Sequence, residues 1–265
     1  GLLPGRVMSL GFGVGLVVTC YGVTSRIYQN KAAGLFAAFL TATSRAFFYS
    51  AHMARPDTIV TALGFAALGL ALRGQTEDDA RWHFAAGLTL GLAFEVHPNA
   101  VIYGPVILAL YAMREGRRFI VARALWQFGG GVVLGLLVYV GMHVLPYPQT
   151  YFAVSELLLG PAHMPTLLTF DWTLIGAGLI RPMLGLLVTS PTHLILSLAA
   201  FLIGARHPSR ASQTALVILL STFLSYSLLI QNQATYYDIQ LLPCLSIVAA
   251  GLLVSIQSQP SFERR

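Results

Sequence analysis

"FYSAHMARPDTIVTALGFAALGLALRG", residues 48–74, places His52, Arg55 and Asp57 directly ahead of a run with only one further charge, Arg73. From Thr58 onward the run is apolar enough to lie in a bilayer, and Pro56 suits the first turn of a helix, where the missing N–H costs nothing. Three ionisable groups at the mouth of a membrane helix are expensive, and such groups are commonly kept for a task.

The rest of the chain agrees with the bilayer as solvent. Only 10% of its 265 residues are charged, 56% are hydrophobic and the mean hydropathy is +0.71, against about 25% charged in soluble domains. The net charge of +6 does not point to nucleic acid, because the basic residues fall in short clusters between apolar runs and form no interleaved aromatic-basic face. Cys20 and Cys244 each sit inside an apolar run without metal or redox spacing and read as small buried residues. Gly1 leads into an apolar run without a charged leader or cleavage site, so no signal peptide is assigned.

Nine apolar runs are candidate helices: 7–23, 32–48, 58–72, 84–94, 100–113, 126–145, 184–203, 215–230 and 239–256. Several are shorter than the roughly 20 residues of a perpendicular span. "GLAFEVHPNAVIYGP", residues 91–105, decides the topology. If the chain turns at 95–99, all 16 lysines and arginines except Arg6, Arg45, Arg55 and Arg181 share one side, as the positive-inside rule requires. The expected fold is all-α: a polytopic membrane bundle of about nine transmembrane helices, one domain over 1–265, with Gly1 outside and Arg265 in the cytoplasm. The segment 146–182 is too polar and proline-interrupted to span; its amphipathic "YFAVSELLLG" would lie in the interface as the roof of a cavity. Gly11/Gly15, Gly87/Gly91 and Gly131/Gly135 are spaced for close helix crossings. "GFGVG", residues 11–15, lacks the preceding strand that a phosphate-cradling loop needs.

With that topology the outer side collects Arg45, His52, Arg55, Asp57, Glu95, His97, Asn99, His143, Glu156, His163, Asp171, Arg181, Asn232 and Asp238. A carboxylate at Asp57 gains from the positive end of a helix, although a plain cap paired with an arginine would account for it as well. His52 and His97 taken singly are ordinary interfacial polar residues, Arg181 beside Pro182 an ordinary interfacial anchor, and Tyr236, Tyr237 and Asp238 an aromatic belt with a helix-start acid. Their gathering at one depth is what favours a site.

"SAHMARPDTIVTALGFAALGLALRG", then "AAGLTLGLAFEVHPNAVIYGPVILALYAM" and "ATYYDIQLLPCLSIVAAGLL" together resemble the GT-C glycosyltransferases of the protein-mannosyltransferase-like and aminoarabinose-transferase-like superfamily. The carrying motifs are "ARPD" before a hydrophobic helix and two tyrosines followed after five residues by Pro243. The opening "PGRVMSLGFGVGLVVTCYGV" resembles that superfamily from its second transmembrane helix onward. The resemblance implies an inverting enzyme that moves a sugar from a polyprenyl-phosphate carrier to a lipid, glycan or protein hydroxyl on the non-cytoplasmic side of a prokaryotic plasma membrane. It also implies that Asp57 is the supporting acid, that the main base lies upstream of Gly1 with the first helix and first external loop, and that the chain as given does not turn over alone.

Within that reading, charge developing on the leaving phosphate calls for fixed cations, and arginine binds phosphate in a bidentate plane. Arg55 and Arg181 are the candidate clamp, His97 a hydrogen-bond donor, and His52, Tyr236, Tyr237 and Asp238 the sugar or acceptor contacts. The prenyl tail would follow apolar walls around Tyr103 and Tyr111. A divalent cation would take Asp57 and His52, yet five residues across a helix start is no specific metal spacing, and the metal site is left unassigned. The alternatives are a transporter, which calls for an internal repeat and mid-membrane charges, and a noncatalytic scaffold.

Overall fold

The computed structural model of the chain describes residues 3–53, 55–158, 171–206, 208–230 and 235–257. Twelve α-helices follow one another with no strand among the described residues: α1 (Leu3–Tyr28), α2 (Lys31–Thr43), α3 (Arg45–Ala51), α4 (Pro56–Glu77), α5 (Ala80–Ala93), α6 (Tyr103–Glu115), α7 (Arg123–Tyr139), α8 (Pro148–Leu158), α9 (Trp172–Thr189), α10 (Pro191–Arg206), α11 (Arg210–Leu229) and α12 (Leu242–Gln257). This is the all-α bundle expected. Five helices are long and apolar enough to cross a membrane: α1, α4, α7 with its π-helical extension to Val144, α9 and α11. The apolar α2, α10 and α12 are shorter.

Side-chain caps cut the chain where the helices change. Asn30 accepts from the Ala33 amide at the start of α2, and Asp79 from that of Arg81 at the start of α5; each satisfies an amide that the first turn leaves without a partner. Ser44 caps α3 by accepting from the Phe47 amide at 3.1 Å, so the apolar run 32–48 is two helices where one was expected. The run 184–203 is also divided. Ser190, at φ −148° and ψ 50°, ends α9, and Pro191 opens α10; a proline disfavours helical geometry in the residue before it. Consequently residues 172–182 of the expected external loop are helix, and Pro182 lies inside α9.

The reversal near Pro98 is present. His97 caps a 3₁₀ turn over Pro98–Ile102, and α6 then runs in the direction opposite to α5, since Tyr111 near its far end bonds the His83 ring at 2.8 Å.

The core is built around α4 and α12. Leu242 to Ala250 are all buried, as is most of α4. Around them α1, α7 and α9 turn apolar side chains outward, among them Val7, Leu137 and Val188, which is stable only where the surroundings are lipid or another apolar surface. Three buried hydroxyls bond within their own helices: Thr24, Thr222 and Ser246 each donate to the carbonyl four residues back. Cys20 and Cys244 are buried and unpaired, each in contact with a threonine of a neighbouring helix at 3.4 Å.

Two of the three glycine pairs make a close crossing. A Cβ added at Gly87 would stand 1.9 Å from the Phe128 carbonyl oxygen, and one at Gly131 2.2 Å from that of Phe84, with Gly91 and Gly135 in similar contact. The backbones of α5 and α7 therefore touch. Gly11 and Gly15 meet nothing within 4 Å, which corrects the expectation for that pair. Both tyrosines expected to wall the prenyl groove are buried: Tyr103 packs against Gly64, where a Cβ would come within 2.2 Å of the ring, and Tyr111 lines a hollow of about 290 Å³ with His83 and Arg114.

Candidate functional site

The site is built at the end of the bundle where α4 begins. Arg55 is in extended conformation, Pro56 occupies the first helical turn, and Asp57 follows in that same turn, where backbone amides have no carbonyl partner within the helix. Arg55 donates from Nε to Asp57 Oδ2 at 2.6 Å. The two are not equally accessible: the carboxylate is 1% exposed and the guanidinium side chain 27%. Asp57 is thus the buried anchor and Arg55 the group presented outward. Ser9 of α1 donates to the Arg55 carbonyl at 3.2 Å, tying this corner to the first helix.

His97 lies in the same electrostatic neighbourhood. Burial pushes it below the ordinary imidazole value, Asp57 pulls it back up, and Arg55 pushes it down. Its Nδ1 accepts from the Asn99 amide at 3.1 Å, which places the proton of the neutral ring on Nε2 and makes that nitrogen a donor.

A third component is the 3₁₀ turn Thr235–Gln240, which lies against α3, α4 and α9. Asp238 in this turn is 2% exposed. It accepts from Thr189 Oγ1 at 2.9 Å, and a Cβ at Gly185 would stand 3.3 Å from its Oδ2. Burial lifts the Asp238 carboxyl to about 6, with the Thr189 hydroxyl pulling it back. Gln240 in the same turn is fully buried with neither amide atom hydrogen-bonded among the described residues.

Arg181 precedes Gly185 by one helical turn, so Arg181, Gly185 and Thr189 share a stripe of α9, the last two against Asp238. Arg181 itself is exposed, and the ion pair of Asp57 is with Arg55. His52, also exposed, ends α3 with Nδ1 on the Phe48 carbonyl and its ring beside Phe48 and Tyr49. Among the described residues no group of three or more His, Cys, Asp or Glu side chains is placed to hold a metal. The side chains of Glu156, His163, Asn232, Tyr236 and Tyr237 lie outside the described residues.

Several members of this corner were missed in the sequence. Ser9, Thr189 and Gly185 are small residues in apolar helices and carry no local mark of their role. The pair Glu95 Oε2–His143 Nε2, at 2.5 Å, joins two residues noted only as outer-side polar groups.

Residues 2–143 match the family model described as dolichyl-phosphate-mannose-protein mannosyltransferase. The chain belongs to this family. That span carries Arg55, Asp57 and His97, and the GT-C resemblance seen in the sequence agrees with the family. The fold agrees too. ArnT from Cupriavidus metallidurans, solved with undecaprenyl phosphate, is 17% identical with a TM-score of 0.60, over 98% of this chain and 47% of that one. Its apo structure gives 0.59 at the same identity and coverage. At that identity the likeness establishes the fold of the mannosyltransferase-family chain, which spans about half the length of these structures. No curated protein matches the chain.

Proposed function

We propose that the chain is the membrane domain, or part of it, of a GT-C glycosyltransferase that takes a sugar from a polyprenyl phosphate and transfers it to a hydroxyl of a lipid, glycan or protein on the outer face of a prokaryotic plasma membrane. Family membership supports the reaction class, and the ArnT structure solved with undecaprenyl phosphate supports the carrier. The uneven distribution of arginines supports the sidedness.

The observation that carries the reading is the unequal exposure of the Arg55–Asp57 pair. A carboxylate so enclosed and already bonded to a guanidinium is better suited to holding that guanidinium than to deprotonating an acceptor. Asp57 therefore acts as a positioning residue, and Arg55 meets the phosphate as leaving-group charge develops there. His97 supplies a neutral N–H donor beside it. Arg181 approaches from α9, and Asp238 closes the same end of the bundle, where it orients sugar or acceptor together with His52, Tyr236 and Tyr237.

Photo-crosslinking with a polyprenyl phosphate bearing a diazirine in its first isoprene unit tests the placement. Adducts are expected on the start of α4, on Pro98–Ile102 and on α9. Adducts confined to the opposite ends of α1 and α6 would overturn it.

A further inference from the structure

Two hollows meet at the other end of the bundle, about 27 Å from Asp57 along α4 at 1.5 Å per residue. The first, about 410 Å³, lies between the last turns of α1, α4 and α6 and the first turn of α11, with Arg26, Gln75, Thr76, Arg114 and Arg210 in its wall. The second, about 740 Å³, is a groove along α1 and α4. Val18, Gly22, Ala66, Gly69 and Leu70 line it, and it ends at Arg26, Lys31 and Arg73. The two share Arg26, Gln29 and Thr76, so an apolar trough runs into a cationic basin.

The charges are only partly matched. Arg73 pairs with Glu77 at 2.7 Å, and Arg114 stands 3.7 Å from both Asp78 and Glu115. Arg26 donates to the Gly69 carbonyl at 3.4 Å. Neither Arg26, Lys31 nor Arg210 forms an ion pair among the described residues. The carbonyl ends of α1, α4 and α6 oppose an anion by roughly half a charge each, and the start of α11 favours one by as much. Set against five cations and three carboxylates, this still leaves about one unit of positive charge. Gln75 adds a buried Nε2 with no acceptor among the described residues.

A free phosphate would need only the basin. The trough beside it is lined by Val18, Gly22, Ala66, Gly69 and Leu70 and opens outward where Val18 is 62% exposed, an apolar surface of the kind a hydrocarbon chain covers. We propose that this end of the bundle binds one anionic phospholipid, its phosphate between Arg26 and Arg210 and one acyl chain along Gly22 and Gly69. The inference is independent of the reading of the Asp57 end.

Native mass spectrometry of the full-length protein, after exchange into nanodiscs of phosphatidylcholine and phosphatidylglycerol in equal amounts, tests it. One phosphatidylglycerol is expected to stay bound. Arg26→Ala combined with Arg210→Ala is expected to lower that retention by at least about tenfold, the scale of one lost charge-assisted hydrogen bond being the lower bound for two. Gly22→Leu is expected to do the same with every cation in place, and its Cβ meets nothing within 4 Å, so its unfolding temperature should match the parent's. Arg117→Ala, which alters an exposed arginine outside both hollows, is the control and is expected to change nothing. Equal retention of the two lipids, or an equal loss in the control, would overturn the proposal. Unchanged retention in Gly22→Leu together with displacement of the bound species by inorganic phosphate would do so as well, by assigning the cations to a free anion.

Discussion

Asp57 holds Arg55 through one 2.6 Å hydrogen bond, from a carboxylate almost without solvent to a guanidinium that keeps some. Breaking such a pair from the buried side leaves the exposed group unfixed, and breaking it from the exposed side leaves a buried charge unmatched. In the full-length protein Asp57→Asn should therefore reduce sugar transfer by roughly tenfold or more, chiefly through the KM for the lipid-phosphate donor. Arg55→Lys should not rescue Arg55→Ala fully, because a point ammonium lacks the fork. Steady-state kinetics with donor and acceptor varied separately check this; a loss confined to the acceptor KM would assign the pair elsewhere.

The Asp238 carboxyl gives a pH signature. Its value of about 6 lies above the ordinary 3.9 of an unfolded aspartate, so the folded state binds more proton between these values. Stability contributed by the group is present below about pH 4 and lost as pH rises through about 6. Asp238→Asn should accordingly stabilise the protein above pH 6 by about 1–3 kcal/mol and not at pH 4. Thermal unfolding in detergent at both pH values is the measurement, and a gain of equal size at pH 4 would contradict it.

The glycine crossing makes a contrast within one residue type. Gly87→Val or Gly131→Val should destabilise the bundle by about 1–3 kcal/mol or more through forced separation of α5 and α7. Gly11→Ala, with open space around its Cβ, should be neutral or slightly stabilising. Equal melting behaviour of the two sets would mean that α5 and α7 do not touch as described.

Cysteine labelling reads the proposed orientation. Cys20 and Cys244 are buried and should stay silent, whereas a cysteine replacing the exposed Arg117 should react with an impermeant maleimide only after the membrane is opened. Efficient labelling in intact cells would invert the topology.

What the sequence made legible was local. The start of α4 could be read because arginine, proline and aspartate each have a defined place at a helix N-terminus, and the turn before α6 because Pro98 and the arginine distribution agree. The break at Ser190 was hidden by apolar residues on both sides, which hold hydropathy high across Pro191. Spacing alone could not tell Gly87 and Gly131, which meet another backbone, from Gly11, which does not. The contact of Thr189 with Asp238 joins residues 49 apart, and no periodicity in either segment anticipates it.

The most direct test of the Asp57 end is equilibrium binding of undecaprenyl phosphate to the full-length protein and to its Arg55→Ala and Arg181→Ala variants, with acceptor binding measured in parallel. The account predicts that each substitution weakens the lipid phosphate by about tenfold or more and leaves the acceptor nearly untouched. Unchanged affinity for the lipid phosphate, or equal losses for both ligands, would contradict it.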